Sequence, residues 1–267
     1  MPSVSSGNKK IKSIRICKEH ATLTFYHGEP LKISKEAFLS SYLYAGKSLS
    51  KKEIAKLEEI TALTNLLNYG MSIALKKRFS EKEMLEKLLK KESNYPACKK
   101  VIQKLKDNNL LDDKTFMNDL IAYDNERNYG QNKIIKHLID KGVPQSLVAK
   151  ASFPISLERK KAKSLLDKLE KKYDRLAYAN KKKHIYQALL SQGFSVDVAK
   201  ETIESVKKES DKKEAMILQK DYDKCLARYA RKYTGYLLKQ KVYSYLINRG
   251  YKYEDIKKVL DLEDFDI

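Results

Sequence analysis

The stretch Ile134-Ile135-Lys136-His137-Leu138-Ile139, closed by Gly142-Val143, decides the fold because the chain returns to it. It comes back as Ile185-Tyr186-Gln187-Ala188-Leu189-Leu190 with Gly193-Phe194, and again as Val242-Tyr243-Ser244-Tyr245-Leu246-Ile247 with Gly250-Tyr251. An earlier copy, Met84-Leu85-Glu86-Lys87-Leu88-Leu89, turns through Asn94-Tyr95-Pro96 instead of glycine. The glycines stand 51 and 57 residues apart. Each fits the residue just past a helix end, where a positive φ suits glycine and an apolar neighbour seals the turn. A short helix is expected after each: 146–151, 196–206 and 254–260. A longer one precedes, marked by Phe116, Leu120 and Tyr123, and by Ala162, Leu165, Leu166, Leu169 and Tyr173 at helical spacing. Ser80 with Glu83 forms a capping box for the first copy, and Asp112-Asp113 reads as the N-cap of a helix at Lys114. The fold class is mainly α: tandem three-helix repeats at 57–111, 112–154, 155–209 and 210–267. One repeat buries little alone, so an elongated, curved array is expected.

Residues 1–56 read differently. Ile14 and Ile16, Leu23 and Phe25, and Leu31 and Ile33 alternate with polar neighbours around a His27-Gly28-Glu29-Pro30 turn, which predicts two or three short strands. Ser34 starts a short helix holding Phe38, Leu39 and Tyr42, and Ser50 with Glu53 is a capping box for a helix beginning near Lys51. A small N-terminal β-containing module is expected.

Composition narrows the function. Of 267 residues, 42% are hydrophobic, enough for a core, and only 5 are Pro and 9 Gly, which favours helices. The 55 Lys and Arg against 35 Asp and Glu leave a formal charge of +20, a surplus that suits an anionic partner, nucleic acid first and an acidic protein surface second. Cys17, Cys98 and Cys225 are scattered and odd in number, as expected of free thiols in a reducing compartment. The longest uncharged run, Ile60 to Leu75, is shorter than the roughly 20 residues of a membrane span and reads as a buried helix. With no signal-like apolar segment behind Lys9 and Lys10, a cytoplasmic protein without membrane contact is expected.

No catalytic or cofactor pattern emerges. GxxxxGK[ST] and GxGxxG phosphate loops are missing, and His20, His27, His137 and His184 show no metal-ligand spacing. No enzyme, cofactor or metal is expected. The basic residues say more. On a helix from about Asp211 to Lys232, Lys213, Lys224, Arg228 and Arg231 fall within about 80° of Lys220. Ala215, Leu218, Tyr222, Cys225, Tyr229 and Tyr233 fall on the opposite, core side. Residues 211–250 hold ten Lys or Arg against four acids, more than an ordinary solvated face needs. The candidate binding residues are Lys213, Lys220, Lys224, Arg228, Arg231, Lys232, Lys239, Lys241 and Arg249. Eight of the 18 tyrosines lie between Tyr222 and Tyr253; Tyr222, Tyr229 and Tyr233 are assigned to packing, while Tyr236, Tyr243 and Tyr253 stay open between packing and base stacking.

Arg78-Phe79-Ser80-Glu81-Lys82-Glu83-Met84 followed by Leu88 and Leu89, then Leu110-Leu111-Asp112-Asp113-Lys114-Thr115-Phe116, resemble the motifs of the RecX family, regulators of the RecA recombinase. Arg127, Gly130, Ile134, Leu138 and Lys141-Gly142-Val143-Pro144 are similar to the family's second repeat, and the N-terminal module, with Gly28-Glu29 and Gly46 to Leu49, to its longer members in low-GC Gram-positive bacteria. The resemblance spans roughly residues 11–262. It implies a partner in the RecA–single-stranded DNA filament, with filament growth, strand exchange and coprotease activity reduced, and so a place in recombination, DNA repair and the SOS response. A monomer is expected, with duplex DNA as a further partner. The rival reading is a RecA-independent helix-turn-helix DNA binder. Against it, no single helix carries a base-reading set of Arg, Asn and Gln, and no dimerisation zipper is present.

Overall fold

The computed structural model describes residues 8–208 and 210–260. In chain order the elements are β1 (Lys9–Ile16), β2 (His20–Phe25), β3 (Leu31–Ser34), α1 (Lys35–Leu39), β4 (Ser48–Leu49) and α2 (Lys51–Ala74). Then come α3 (Glu81–Lys91), α4 (Tyr95–Asp107), α5 (Asp113–Glu126), α6 (Gln131–Asp140), α7 (Gln145–Val148) and α8 (Ile155–Lys172). The last described elements are α9 (Tyr178–Ser191), α10 (Val196–Glu204), α11 (Asp211–Tyr229), α12 (Gly235–Asn248) and α13 (Tyr253–Val259). The protein is mainly helical with a small strand module at its N-terminus. It divides into two compact units, one of Met1–Asn118 with Ile139–Leu147, the other of Asp119–Leu138 with Val148–Ile267.

In the first unit the antiparallel sheet has the order β3-β2-β1-β4, a fourth short strand beyond those the alternation predicts. Its inner face sets Ile11, Leu23, Phe25, Ile33 and Leu49 against α1 and α2. The β1 register shifts between Ile11 and Ser13, so Ile11 and Ile14 share the core face although they are three apart. This bulge corrects the simple alternation: Ile11 is fully buried, while Ile16, at the strand end, is 59% exposed. Ser34 caps α1, but the helix stops at Leu39, and Tyr42 lies beyond it, exposed.

Helix α2 starts at the expected capping box, with Ser50 Oγ accepting from Glu53 N and the Glu53 carboxylate accepting from Ser50 N. It runs unbroken across residue 56. Its first half covers the sheet through Leu57, and its second half packs Leu66 on Met84, Leu88, Val101 and Leu105 of α3 and α4. The uncharged run 60–75 is not a buried helix throughout: Leu66 and Gly70 are buried, and Leu75 is exposed. Thr61 and Thr64 tolerate partial burial because their hydroxyls donate back to Leu57 O and Ile60 O.

The Ser80–Glu83 pair closes only half of the expected box. Ser80 Oγ accepts from Glu83 N, but the Glu83 carboxylate is taken by Lys141, 2.7 Å away, and Ser80 Oγ donates to Lys141 O. Asp112 caps α5 through Lys114 N and Thr115 N, whereas Asp113 accepts from Glu81 N at the start of α3. The two adjacent acids therefore cap two different helices. Hydrogen bonds from Thr115 hold the Asp112 carboxyl below its ordinary range, and burial pushes that of Asp113 up.

In the second unit, Ala162, Leu166, Ile185, Leu189, Phe194 and Val198 form the core of α8, α9 and α10. A buried polar node holds the turn before α6 to the turn before α10. Glu158 accepts from Gln131 N and from Ser195 N, and Lys161 Nζ donates to Asn125 Oδ1 and Tyr129 O. The turns themselves touch backbone to backbone, Gly130 N donating to Gln192 O and Asn132 N to Gly193 O, both at 2.9 Å. Gly142, Gly193 and Gly250 have φ of 81°, 84° and 85°, as the helix-end reading expects. Val143, Phe194 and Tyr251 beside them are buried. Of the short helices that follow, α10 and α13 differ from the expected spans by one or two residues at their ends, whereas α7 is a single turn that stops at Val148, three residues short of the expected 151.

Candidate basic interface on α11 and α12

Helix α11 owes its orientation to an apolar stripe. Leu218 and Cys225, seven residues apart, are buried against Leu238, Val242 and Leu246 of α12 and Ile256 of α13. Tyr222, Tyr229 and Tyr233 flank this stripe, half-buried, so the packing role assigned to them holds. Ala215, expected on the same core side, is exposed. Burial, with Asp221 nearby, pushes the Cys225 thiol up to about 11.

On the other side Lys220, Lys224 and Arg228 are exposed at successive four-residue steps, spaced about 6 Å apart as helix neighbours are. The helix ends at Tyr229, so Arg231 and Lys232 extend this row from the following turn rather than from the helix, and both are exposed. Lys241, on α12, is exposed with its Nζ 5.8 Å from the Tyr233 ring centre. Lys239 is half-buried.

Two of the nine candidates serve a different purpose. Lys213 pairs with Asp174 at 2.7 Å, tying the start of α11 to the end of α8. Arg249 ends α12, donates to Tyr245 Oη at 2.8 Å and lies 3.6 Å from the Asp221 carboxylate. Tyr251 Oη donates to the same carboxylate at 2.8 Å, and burial first, then Asp221, pushes its phenol well up. Asp221, Tyr245, Arg249 and Tyr251 thus form a clamp between α11 and α12. In the sequence Arg249 reads as a candidate contact, and nothing in its spacing of 28 residues from Asp221 announces a pair. Among the open tyrosines, Tyr236 and Tyr253 are exposed, and Tyr243 meets Tyr253 edge-on at 6.1 Å. Among the described residues no cluster of three or more metal-ligating side chains occurs, and no helix is long and apolar enough to cross a membrane.

These helices match a known pattern. A family model for the third three-helix domain of RecX covers residues 217–260, from within α11 to the end of α13. Relatives named regulatory protein RecX align along nearly the whole chain. The protein of Streptococcus agalactiae serotype Ia is 27% identical over 254 residues, covering 94% of this chain and 98% of its own. That of Streptococcus uberis is 23% identical over 256 residues with the same coverage. The chain is thus similar to RecX proteins along nearly all of its length, and its last helices match their third three-helix domain. A crystal structure of a regulatory protein RecX, 20% identical, covers 74% of this chain and 100% of its own with a TM-score of 0.65, which shows the shared RecX fold.

Proposed function

We propose that the protein binds the RecA–single-stranded DNA filament and restrains it, lowering filament growth, strand exchange and RecA's coprotease activity without catalysing a reaction itself. End-to-end alignment with proteins named regulatory protein RecX carries the reading. The exposed row Lys220, Lys224, Arg228, Arg231, Lys232 and Lys241 supplies a surface suited to phosphates or to acidic residues of RecA. On this reading the protein is a cytoplasmic monomer of recombination, DNA repair and the SOS response. Its four helix groups, at 57–111, 112–154, 155–209 and 210–267, act as repeated modules beside the small N-terminal one.

The test replaces Lys220, Lys224, Arg228 and Arg231 with Gln, leaving Leu218, Cys225 and their partners untouched. Contact with phosphates predicts weaker single-stranded DNA binding and a log–log salt dependence shallower by up to about three, at about 0.7 for each of four contacts. Contact with acidic RecA residues instead predicts unchanged binding to free DNA and weaker filament inhibition. A folded variant equal to wild type in both assays removes this row from the interface.

A further inference from the structure

The strands β1, β2, β3 and β4 contain Lys9, Lys10, Lys12, Arg15 and Lys32 and not one Asp or Glu. Their distribution over the two faces follows from the register. Ala21, Leu23 and Phe25 point into the core, so Thr22 and Thr24 point outward. Arg15 and Lys32 lie opposite Thr22 from either side, Ser13 lies opposite Thr24, and Lys10 lies opposite Ser48. Lys12 stands at the bulge, exposed. Tyr26 continues the outward row of β2, 56% exposed, with Lys10 Nζ 5.9 Å from its ring centre.

The outer face is therefore an exposed sheet bearing Lys10, Lys12, Arg15 and Lys32 among the hydroxyls of Ser13, Thr22, Thr24 and Ser48. Among the described residues no carboxylate pairs with any of these four cations. A soluble sheet face is commonly solvated by mixed charges; this one has a single sign. Neighbouring strands lie about 4.8 Å apart and alternate residues on a strand about 6.8 Å apart, so cations and hydroxyls form a grid. Lys, Arg, Ser and Thr are the side chains that hold phosphate and sugar oxygens without reading base sequence. The ring of Tyr26 adds a π-face that an unpaired base can stack on.

We propose that this sheet face binds the sugar–phosphate backbone of a single DNA strand, independently of base sequence and separately from the α11 row. The sheet is a second attachment point for the strand on the same chain. Because binding is measured with no RecA present and with α11 intact, its failure is distinguishable from failure of the regulatory reading.

The test compares the full-length chain with a K10Q/K12Q/R15Q/K32Q variant on a 30-nucleotide oligo-dT strand. The four side chains lie outside the core, so circular dichroism and melting should match wild type. The expected result is binding weakened at least about tenfold at 50 mM salt and a salt slope shallower by about three, at roughly 0.7 per lost contact. Unchanged affinity and slope overturn the proposal, as does a wild-type chain with no salt-dependent binding to the strand. If the variant fails to fold, lysine acetylation of the wild-type chain decides: oligo-dT should protect Lys10, Lys12 and Lys32, and equal labelling with and without DNA overturns the proposal.

Discussion

Gly130→Ala tests the backbone contact on which the second unit is built. Gly130 does not lie at positive φ, so alanine there brings no conformational strain of its own. The added Cβ would stand 2.2 Å from Gly193 C and Phe194 N and 2.3 Å from Gly193 O. These are backbone atoms and cannot swing away as a side chain does. Restoring ordinary contact needs the two turns to part by roughly 1 Å, which breaks the hydrogen bonds from Gly130 N to Gln192 O and from Asn132 N to Gly193 O. Two such bonds are worth about 1 kcal/mol each. Overpacking adds about 1–3 kcal/mol, and the lower entropy of unfolded alanine returns about 0.4–1 kcal/mol. The net loss is about 2–5 kcal/mol, which at about 2 kcal/mol per M moves a urea midpoint down by about 1–2.5 M. Hydrogen exchange should quicken first around Gly130 and Gly193. Gly46→Ala is the control: its Cβ meets nothing within 4 Å, and only its φ of 96° costs, about 1–2 kcal/mol. A Gly130→Ala midpoint equal to wild type, or a shift no larger than that of Gly46→Ala, would refute the close approach of the two turns.

Asp112→Ala should destabilise the α5 start by about 1 kcal/mol at neutral pH, since it removes the acceptor of Lys114 N and Thr115 N. The folded pKa of Asp112 lies below its ordinary 3.8, so this contribution is full above that value and fades as pH falls through the lowered one. Melting curves of variant and wild type should therefore converge in strong acid, and a constant gap would contradict the cap. Of the three thiols, half-exposed Cys17 should react with Ellman's reagent in the native protein. Cys98 and Cys225, whose thiols burial pushes up, should react only on unfolding; three equally fast thiols would contradict their burial.

Most of the architecture was legible in the sequence, for identifiable reasons. Gly142, Gly193 and Gly250 announced helix ends because few residues other than glycine adopt positive φ there. Ser34 and Ser50 announced helix starts because capping is local chemistry. Long-range competition was hidden: Glu83 carries a capping-box signature, but Lys141, 58 residues away, takes its carboxylate. Glu158 and Lys161 sit in a run of charges that reads as solvent-facing, yet each is buried because backbone groups of distant turns need a partner. The basic row on α11 was legible from helix geometry as far as Arg228. Beyond Tyr229 the angle loses meaning because the helix has ended, and Arg249 belongs to a clamp that only the fold brings together.

The most direct measurement of the central claim is strand exchange by the cognate RecA as the full-length protein is added, from substoichiometric to equimolar. RecA's DNA-dependent ATPase is followed in parallel. The account predicts that joint-molecule formation and ATP hydrolysis both fall as the protein is added, and that the protein alone hydrolyses no ATP. Undiminished exchange and ATPase by a competent RecA at equimolar protein would contradict the regulatory reading, and ATP hydrolysis by the protein alone would contradict its lack of chemistry.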